Sequence, residues 1–197
     1  DVTRGFAAQN RGTLTGSLQM DDGQDHWILR GTGVGDTWIT SGVNPCMAAA
    51  SVNSSSLAQD VWFHDCEVSF PNGLTLPKYA HVVFTNCTVH AKSLLVSSGC
   101  FDLRGHSTLV VEGDAVAEGT GRFNFEAGPT NGVEAATWNP WGQTVKVCGK
   151  LWLKDTSVLY PVSHSVNGGS VNFELCRLEV ASGASVNGVS CGFGYYN

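Results

Sequence analysis

The chain has 197 residues, a net charge of −6, 42% hydrophobic and only 14% charged residues, a balance that suits one packed core and excludes a disordered tail. Its acidity excludes the basic footprint of a nucleic-acid or anionic-membrane binder, and no stretch approaches the roughly 20 apolar residues of a spanning helix. The first residue is Asp1 with no secretory signal pattern after it, which fits processing or an incomplete amino end.

Residues 1–24 read as an arm or cap, residues 25–191 as one β domain and residues 192–197 as a tail rich in Gly and Tyr. The arm ends in Asp21-Asp22-Gly23-Gln24-Asp25. Carboxylates around a glycine can ligate calcium, so Asp21, Asp22 and Asp25 are secondary metal candidates, although the spacing is not that of an EF-hand and a solvated turn is the plainer reading. Gly31-Thr32-Gly33-Val34-Gly35 lacks the Lys and following helix of a phosphate loop. A first weak turn of β structure is expected through Trp27, Leu29, Val34, Trp38 and Ile39.

From Val61 the chain repeats. Val61, Phe63, Cys66 and Val68 recur with the same internal spacing as Val82, Phe84, Cys87 and Val89, and again as Val171, Phe173, Cys176 and Leu178. Looser copies begin at Phe101, Phe123 and Val145, so the chain advances by roughly 20 to 25 residues per unit, a solenoid-like period. Within each unit Val, Phe and Cys alternate with Thr, Asn, Glu and His, the period of a strand with one apolar face. Such a unit cannot bury that face alone. Stacking successive units buries a continuous column, with Phe63 expected on Phe84 and Cys66 on Cys87, and with Phe173 and Cys176 in the same core repeat. Asn72, Asn86 and Asn167 fall at corners that need a left-handed backbone. The alternative is an antiparallel β-sandwich or jelly roll, kept open by the hairpin-like pairs Asn72-Gly73, Gly113-Asp114 and Asn131-Gly132.

Seven cysteines, none in a Cys-x-x-Cys pair, give no zinc or thioredoxin-like spacing. Their apolar setting predicts mostly buried free thiols, compatible with folding in a reducing cytosol. The six histidines (26, 64, 81, 90, 106 and 164) show no ligand spacing, and no cofactor is expected. Glu67, Glu112, Asp114, Glu118, Glu126 and Glu134 share no phase, so no catalytic residues are assigned.

Between Glu126 and Gln143, Gly128-Pro129 and Asn139-Pro140 are turn chemistry around Trp138 and Trp141. Rings in such a loop can stack on a sugar or anchor a subunit. Trp62 and Trp152 occupy the outward phase of their strands, which adds them to the binding or interface candidates and favours a covered face.

The repeated Val-x-Phe-x-x-Cys-x-Val, with its coil length and stacked aromatics, resembles right-handed parallel β-helix proteins: phage tailspikes, viral capsid and decoration proteins, and pectate-lyase-like enzymes. The resemblance is architectural and covers roughly residues 25–191. It implies an all-β, short right-handed parallel β-helix of about six to seven coils, roughly 30 Å long. With no catalytic constellation and outward aromatics, the expectation is a non-enzymatic structural protein of a virus or bacteriophage particle, a capsid decoration or tail component. It is expected to be a homotrimer in contact with other virion proteins such as the major capsid protein, and to assemble in the host cytoplasm. The alternatives are an extracellular carbohydrate-binding or polysaccharide-cleaving β-helix and a surface adhesin module.

Overall fold

A computed structural model describes the backbone of residues 13–21, 26–34, 37–40, 48–51, 61–64, 66–130, 141–165 and 169–189, with side chains for Phe63 and from Glu67 onward. Every regular element among them is a β-strand. Strands β1 (Thr13–Asp21) and β2 (His26–Val34) pair antiparallel, Thr13 opposite Val34 and Asp21 opposite His26. Trp27, Leu29 and Val34 therefore belong to this two-stranded sheet. Of the weak first turn expected from the sequence, Trp38 and Ile39 alone join the parallel strands.

The remaining strands run parallel in two sheets. They are β3 (Thr37–Thr40), β4 (Ala48–Ser51), β5 (Val61–His64), β6 (Cys66–Phe70), β7 (Leu74–Leu76), β8 (His81–Thr85), β9 (Thr88–Ala91) and β10 (Leu94–Ser97). After them come β11 (Cys100–Gly105), β12 (Thr108–Val111), β13 (Ala115–Glu118), β14 (Arg122–Ala127), β15 (Gly142–Leu153), β16 (Val158–Val162), β17 (Ser170–Val180) and β18 (Ser185–Val186). One sheet has the order β18-β16-β14-β11-β8-β5-β3. The other is nine-stranded, β4-β6-β9-β12-β15-β13-β10-β7, with β17 also paired to β15.

Both sheets follow from the repeat. Val61 lies opposite Val82, Val82 opposite Phe101 and Phe101 opposite Phe123, so the starts of successive repeats set the register of the seven-stranded sheet. The next step departs from expectation. Phe123 lies opposite Leu159, a far longer step than those before it, whereas Val145 lies opposite Leu109 and Phe173 in the other sheet. The step from Phe123 to Val145 is thus not a turn of the repeat, and Phe173 stands in the row of Val89 and Leu109 rather than that of Phe63 and Phe84. The antiparallel sandwich is overturned as well. Gly73, with φ +84°, turns the chain between β6 and β7, which pair with β9 and β10 instead of each other. Gly113-Asp114 likewise separates β12 and β13, each paired parallel elsewhere. Asn131-Gly132 and Asn167 lie outside the described residues.

Alternation puts Phe63, Val82, Phe84, Phe101, Leu103, Phe123 and Phe125 in one buried column. The Phe63 and Phe84 rings stack 4.8 Å apart and 11° from parallel, and Phe84 lies 5.4 Å from Phe101. Burying each ring stabilises by about 2–3 kcal/mol relative to exposure, and offset or tilted ring pairs add about 0.5–1.5 kcal/mol. Of the expected corner residues Asn86 is left-handed, with φ 54°, and its Oδ1 accepts from the His106 N–H at 3.2 Å, whereas at Asn72 the positive φ falls on the following Gly73 instead. A side chain on Gly105 (φ +67°) would collide with that Asn86 oxygen. Fully buried Gln143 donates to the carbonyls of Leu103 (2.9 Å) and Glu126 (3.1 Å), tying β11 and β14 to the start of β15.

Candidate functional site

The side of the seven-stranded sheet opposite the aromatic column collects the polar phase of each strand. Register sets His81, Cys100, Arg122 and Val158 in one row and Val83, Asp102, Asn124 and Tyr160 in the next. A third row holds Thr85, Arg104, Glu126 and Val162. Asp102, Arg104, Arg122, Asn124, Glu126, Tyr160 and Val162 line a cleft of about 340 Å³ across β11, β14 and β16.

Asp102 is the anchor of this face. Its side chain is only 5% exposed, and both oxygens are engaged. Arg104 Nη2 donates to Oδ2 at 2.6 Å, and His81 Nε2 lies 3.2 Å from the same oxygen. Oδ1 accepts from Asn124 Nδ2 at 2.7 Å and from the Cys100 thiol at 3.1 Å. Burial alone would raise its pKa, but the bonds from His81, Cys100 and Asn124, with the His81 charge, hold the carboxyl down at about 2. Conversely, burial, the Asp102 charge and the bond to it push the Cys100 thiol up to about 12. Arg104 reaches the next strand, its Nε 3.8 Å from Glu126 Oε2. A carboxylate with four donors stays ionised and has no lone pair directed at a substrate proton, so the face is built to fix positions rather than to shuttle protons. Around it, Arg122, Asn124, Glu126 and Tyr160 present charged groups, an amide and an amphipathic ring to the open side of the cleft.

Of the tryptophan candidates, the two with described side chains, Trp141 and Trp152, do not line this cleft. Trp141 is 58% exposed just before β15, and Trp138 lies outside the described residues. Trp152 is half-buried on β15, with Lys150 Nζ 4.4 Å and Lys154 Nζ 4.0 Å from its ring centre. These lysines also approach Glu179 (3.0 Å) and Glu118 (3.7 Å), so the Trp152 face is closed by its own charge network. Trp62 lies in β5 opposite Trp38 and Val83, its side chain outside the described set. Asp21 ends β1 opposite His26; Asp22 and Asp25 lie outside the described residues.

Among the core-repeat residues, Phe63, Phe84 and Cys87 are buried and Phe173 is half-buried at the edge of the core. Cys176 is exposed, a correction that follows from its strand. Val171, Phe173 and Leu175 pack against the core, whereas Cys176 faces a bulge in β15 between Val147 and Lys150 that interrupts the alternation. Among the described cysteines Cys87 alone is buried, Cys100 is half-buried and Cys148 is exposed like Cys176, against the expectation of mostly buried thiols. Cys66 lies in β6 just before Glu67, which is opposite Thr88; its side chain is outside the described set.

A search for like-charged clusters misses Asp102, Arg104 and Arg122. The signal lies in Cys100-x-Asp102-x-Arg104 and Arg122-x-Asn124-x-Glu126, two polar runs that alternate with Phe101 and Leu103 and with Phe123 and Phe125 of the apolar repeat and so share the opposite face. The chain matches no protein-family model, no curated protein and no solved structure. What it displays is an all-β protein with parallel strands in two sheets and a charged cleft on one of them.

Proposed function

We propose that the chain is a short parallel β-helix whose outer cleft binds a polysaccharide without cleaving it. The solenoid reading is supported by three rows of parallel strands, β5-β8-β11-β14, β6-β9-β12 and β7-β10-β13, each visited once per chain unit of about 20 residues. The binding reading rests on one observation: Arg122, Asn124, Glu126 and Tyr160 line one cleft around a carboxylate that is already saturated. Sugar hydroxyls want paired donors and acceptors plus an aromatic edge or face, and this cleft offers both. Three parallel strands span about 10 Å, a length that suits a chain ligand lying across the strands.

Calorimetric titration with neutral and acidic oligosaccharides tests this. We expect Tyr160→Ala and Arg122→Ala each to weaken binding at least about tenfold, the scale of losing one well-placed contact, with unchanged far-UV circular dichroism. Wild-type affinity in both variants, or no binding to any oligosaccharide, overturns the reading.

A second reading, a structural subunit of a virion or similar particle, is favoured by a different observation. Leu178 and Val180 at the end of β17 are 49% and 45% exposed, although their register neighbours Leu151 and Leu153 are buried. An apolar column left open at one end favours association with other subunits. In that reading the trimer, the virion partners and assembly in the host cytoplasm are carried by the resemblance alone.

A further inference from the structure

We propose that His81, Cys100 and Asp102 bind a divalent cation of the zinc class on the outer face of the seven-stranded sheet. This does not rest on the polysaccharide reading. His81 on β8 lies opposite Cys100 on β11, and Asp102, next but one along the strand, points to the same side. The three ligand atoms lie within 4.8 Å of one another. His81 Nε2 is 3.2 Å from Asp102 Oδ2, and Cys100 Sγ is 3.1 Å from Oδ1. Ligands of a tetrahedral zinc ion, with metal bonds of about 2.0–2.3 Å, stand about 3.3–3.7 Å apart. The two pairs reach different carboxylate oxygens, so with one oxygen as ligand the nearer partner opens by a few tenths of an ångström while the other turns toward that oxygen, within the 4.8 Å that already spans the three ligand atoms. His81 is a third exposed, so its ring has room to complete the adjustment.

The donor types select the ion. Calcium and magnesium take oxygen ligands, whereas thiolate, imidazole and carboxylate together suit zinc or cobalt. Surrounding bonds orient the set: Asn124 Nδ2 donates to Cys100 Sγ at 3.2 Å as well as to Asp102, and Arg104 braces Asp102 from the other oxygen. Such outer contacts fix ligand geometry and strengthen metal binding. On binding, the Cys100 S–H bond breaks and its proton passes to solvent, and His81 gives up its Nε2 proton, to solvent from a charged ring or by transfer to Nδ1 in a neutral one. The two hydrogen bonds to Asp102 are thereby released, and the sulfur, nitrogen and freed carboxylate electron pairs form the metal bonds without oxidation. Thiolate and carboxylate then balance the dication, while Arg104 keeps Glu126 at 3.8 Å as its counter-charge. Water takes the fourth position.

The test is titration of chelator-treated, reduced protein with Co²⁺, followed by competition with Zn²⁺. We expect one equivalent of Co²⁺ to give a thiolate–cobalt charge-transfer absorption that Zn²⁺ abolishes. A Cys148→Ser/Cys176→Ser double variant should retain the band and Cys100→Ser should lose it. Asn124→Ala, which leaves all three ligands in place, should bind about 10–100-fold more weakly. No band in the wild type, a band that persists in Cys100→Ser, or unchanged affinity in Asn124→Ala overturns the site.

Discussion

Asp102 and Cys100 lie on one face of β11 and share a hydrogen bond, yet their environment drives them in opposite directions. At the carboxylate, desolvation is outweighed by the bonds from His81, Cys100 and Asn124 and by the His81 charge, whereas burial and the neighbouring carboxylate prevail at the thiol. The consequence for stability has a defined sign. A carboxyl held at about 2 in the folded chain, against about 3.9 unfolded, contributes stability that is complete above about pH 4 and is lost as pH falls toward about 2. In chelator-treated protein, the unfolding free energy of wild type should therefore exceed that of Asp102→Asn at pH 6, and the gap should narrow through that acid window. Urea unfolding at pH 6, 4 and 3 checks it; a gap that stays constant with pH would mean the carboxylate's charge is not what matters. The residue was hidden in the sequence because two of its four partners lie about 20 residues away. His81 and Asn124 each lie one strand away in the sheet, and only the register of parallel strands brings them together.

At the scale of the strand, legibility depended on whether spacing stayed regular. Through β5, β8, β11 and β14 each rung adds roughly 20 residues, so one alternating apolar phase specified both the strands and their partners. That phase is where the stability lies. Phe84 is fully buried among Phe63, Phe70 and Phe101, at ring distances of 4.8, 6.1 and 5.4 Å, and Phe84→Ala should cost about 3–5 kcal/mol in a denaturant melt. A loss below about 1 kcal/mol would mean the column does not pack as described. Beyond Ala127 the register step lengthens, and the partner of Phe123 is Leu159. Counting from Phe123 to Val145 returns one repeat length by coincidence and moves the strand to the wrong sheet. Periodicity cannot separate an inserted loop from a rung. The Pro and Gly pairs after Glu126 marked an irregularity but not its length. β15 adds a second difficulty: its 12 residues pair with β12 through Thr144–Val147 and with β13 through Leu151–Leu153, one strand serving two rows.

Across the whole molecule, the apolar column is closed along its length and open where β17 ends it. Leu153 is fully buried, and one strand further its register partner Val180 is nearly half exposed, as is Leu178 beyond Leu151. Among the described strands β17 pairs with β15 alone, which leaves an 11-residue strand at the margin of the sheet. Long open edges recruit another strand unless charge or a covering segment blocks them. The charges on β17, Glu174, Arg177 and Glu179, are engaged in ion pairs within the chain, and the second copy present in any solution of this protein is the partner whose edge chemistry matches by construction. Light scattering after size exclusion should then give a mass above the 20.9 kDa of one chain. Leu178→Glu/Val180→Lys should return it to one chain mass at little cost to folding, because the substituted side chains already meet solvent. The expected trimer through outward tryptophans makes the opposite forecast: three chain masses that survive this double substitution and fall with Trp152→Ser. Lys150 and Lys154 already occupy the Trp152 ring, which favours the edge over that ring as the surface to test. A wild-type mass of one chain removes both assembly routes and leaves the charged cleft as the working surface of the protein.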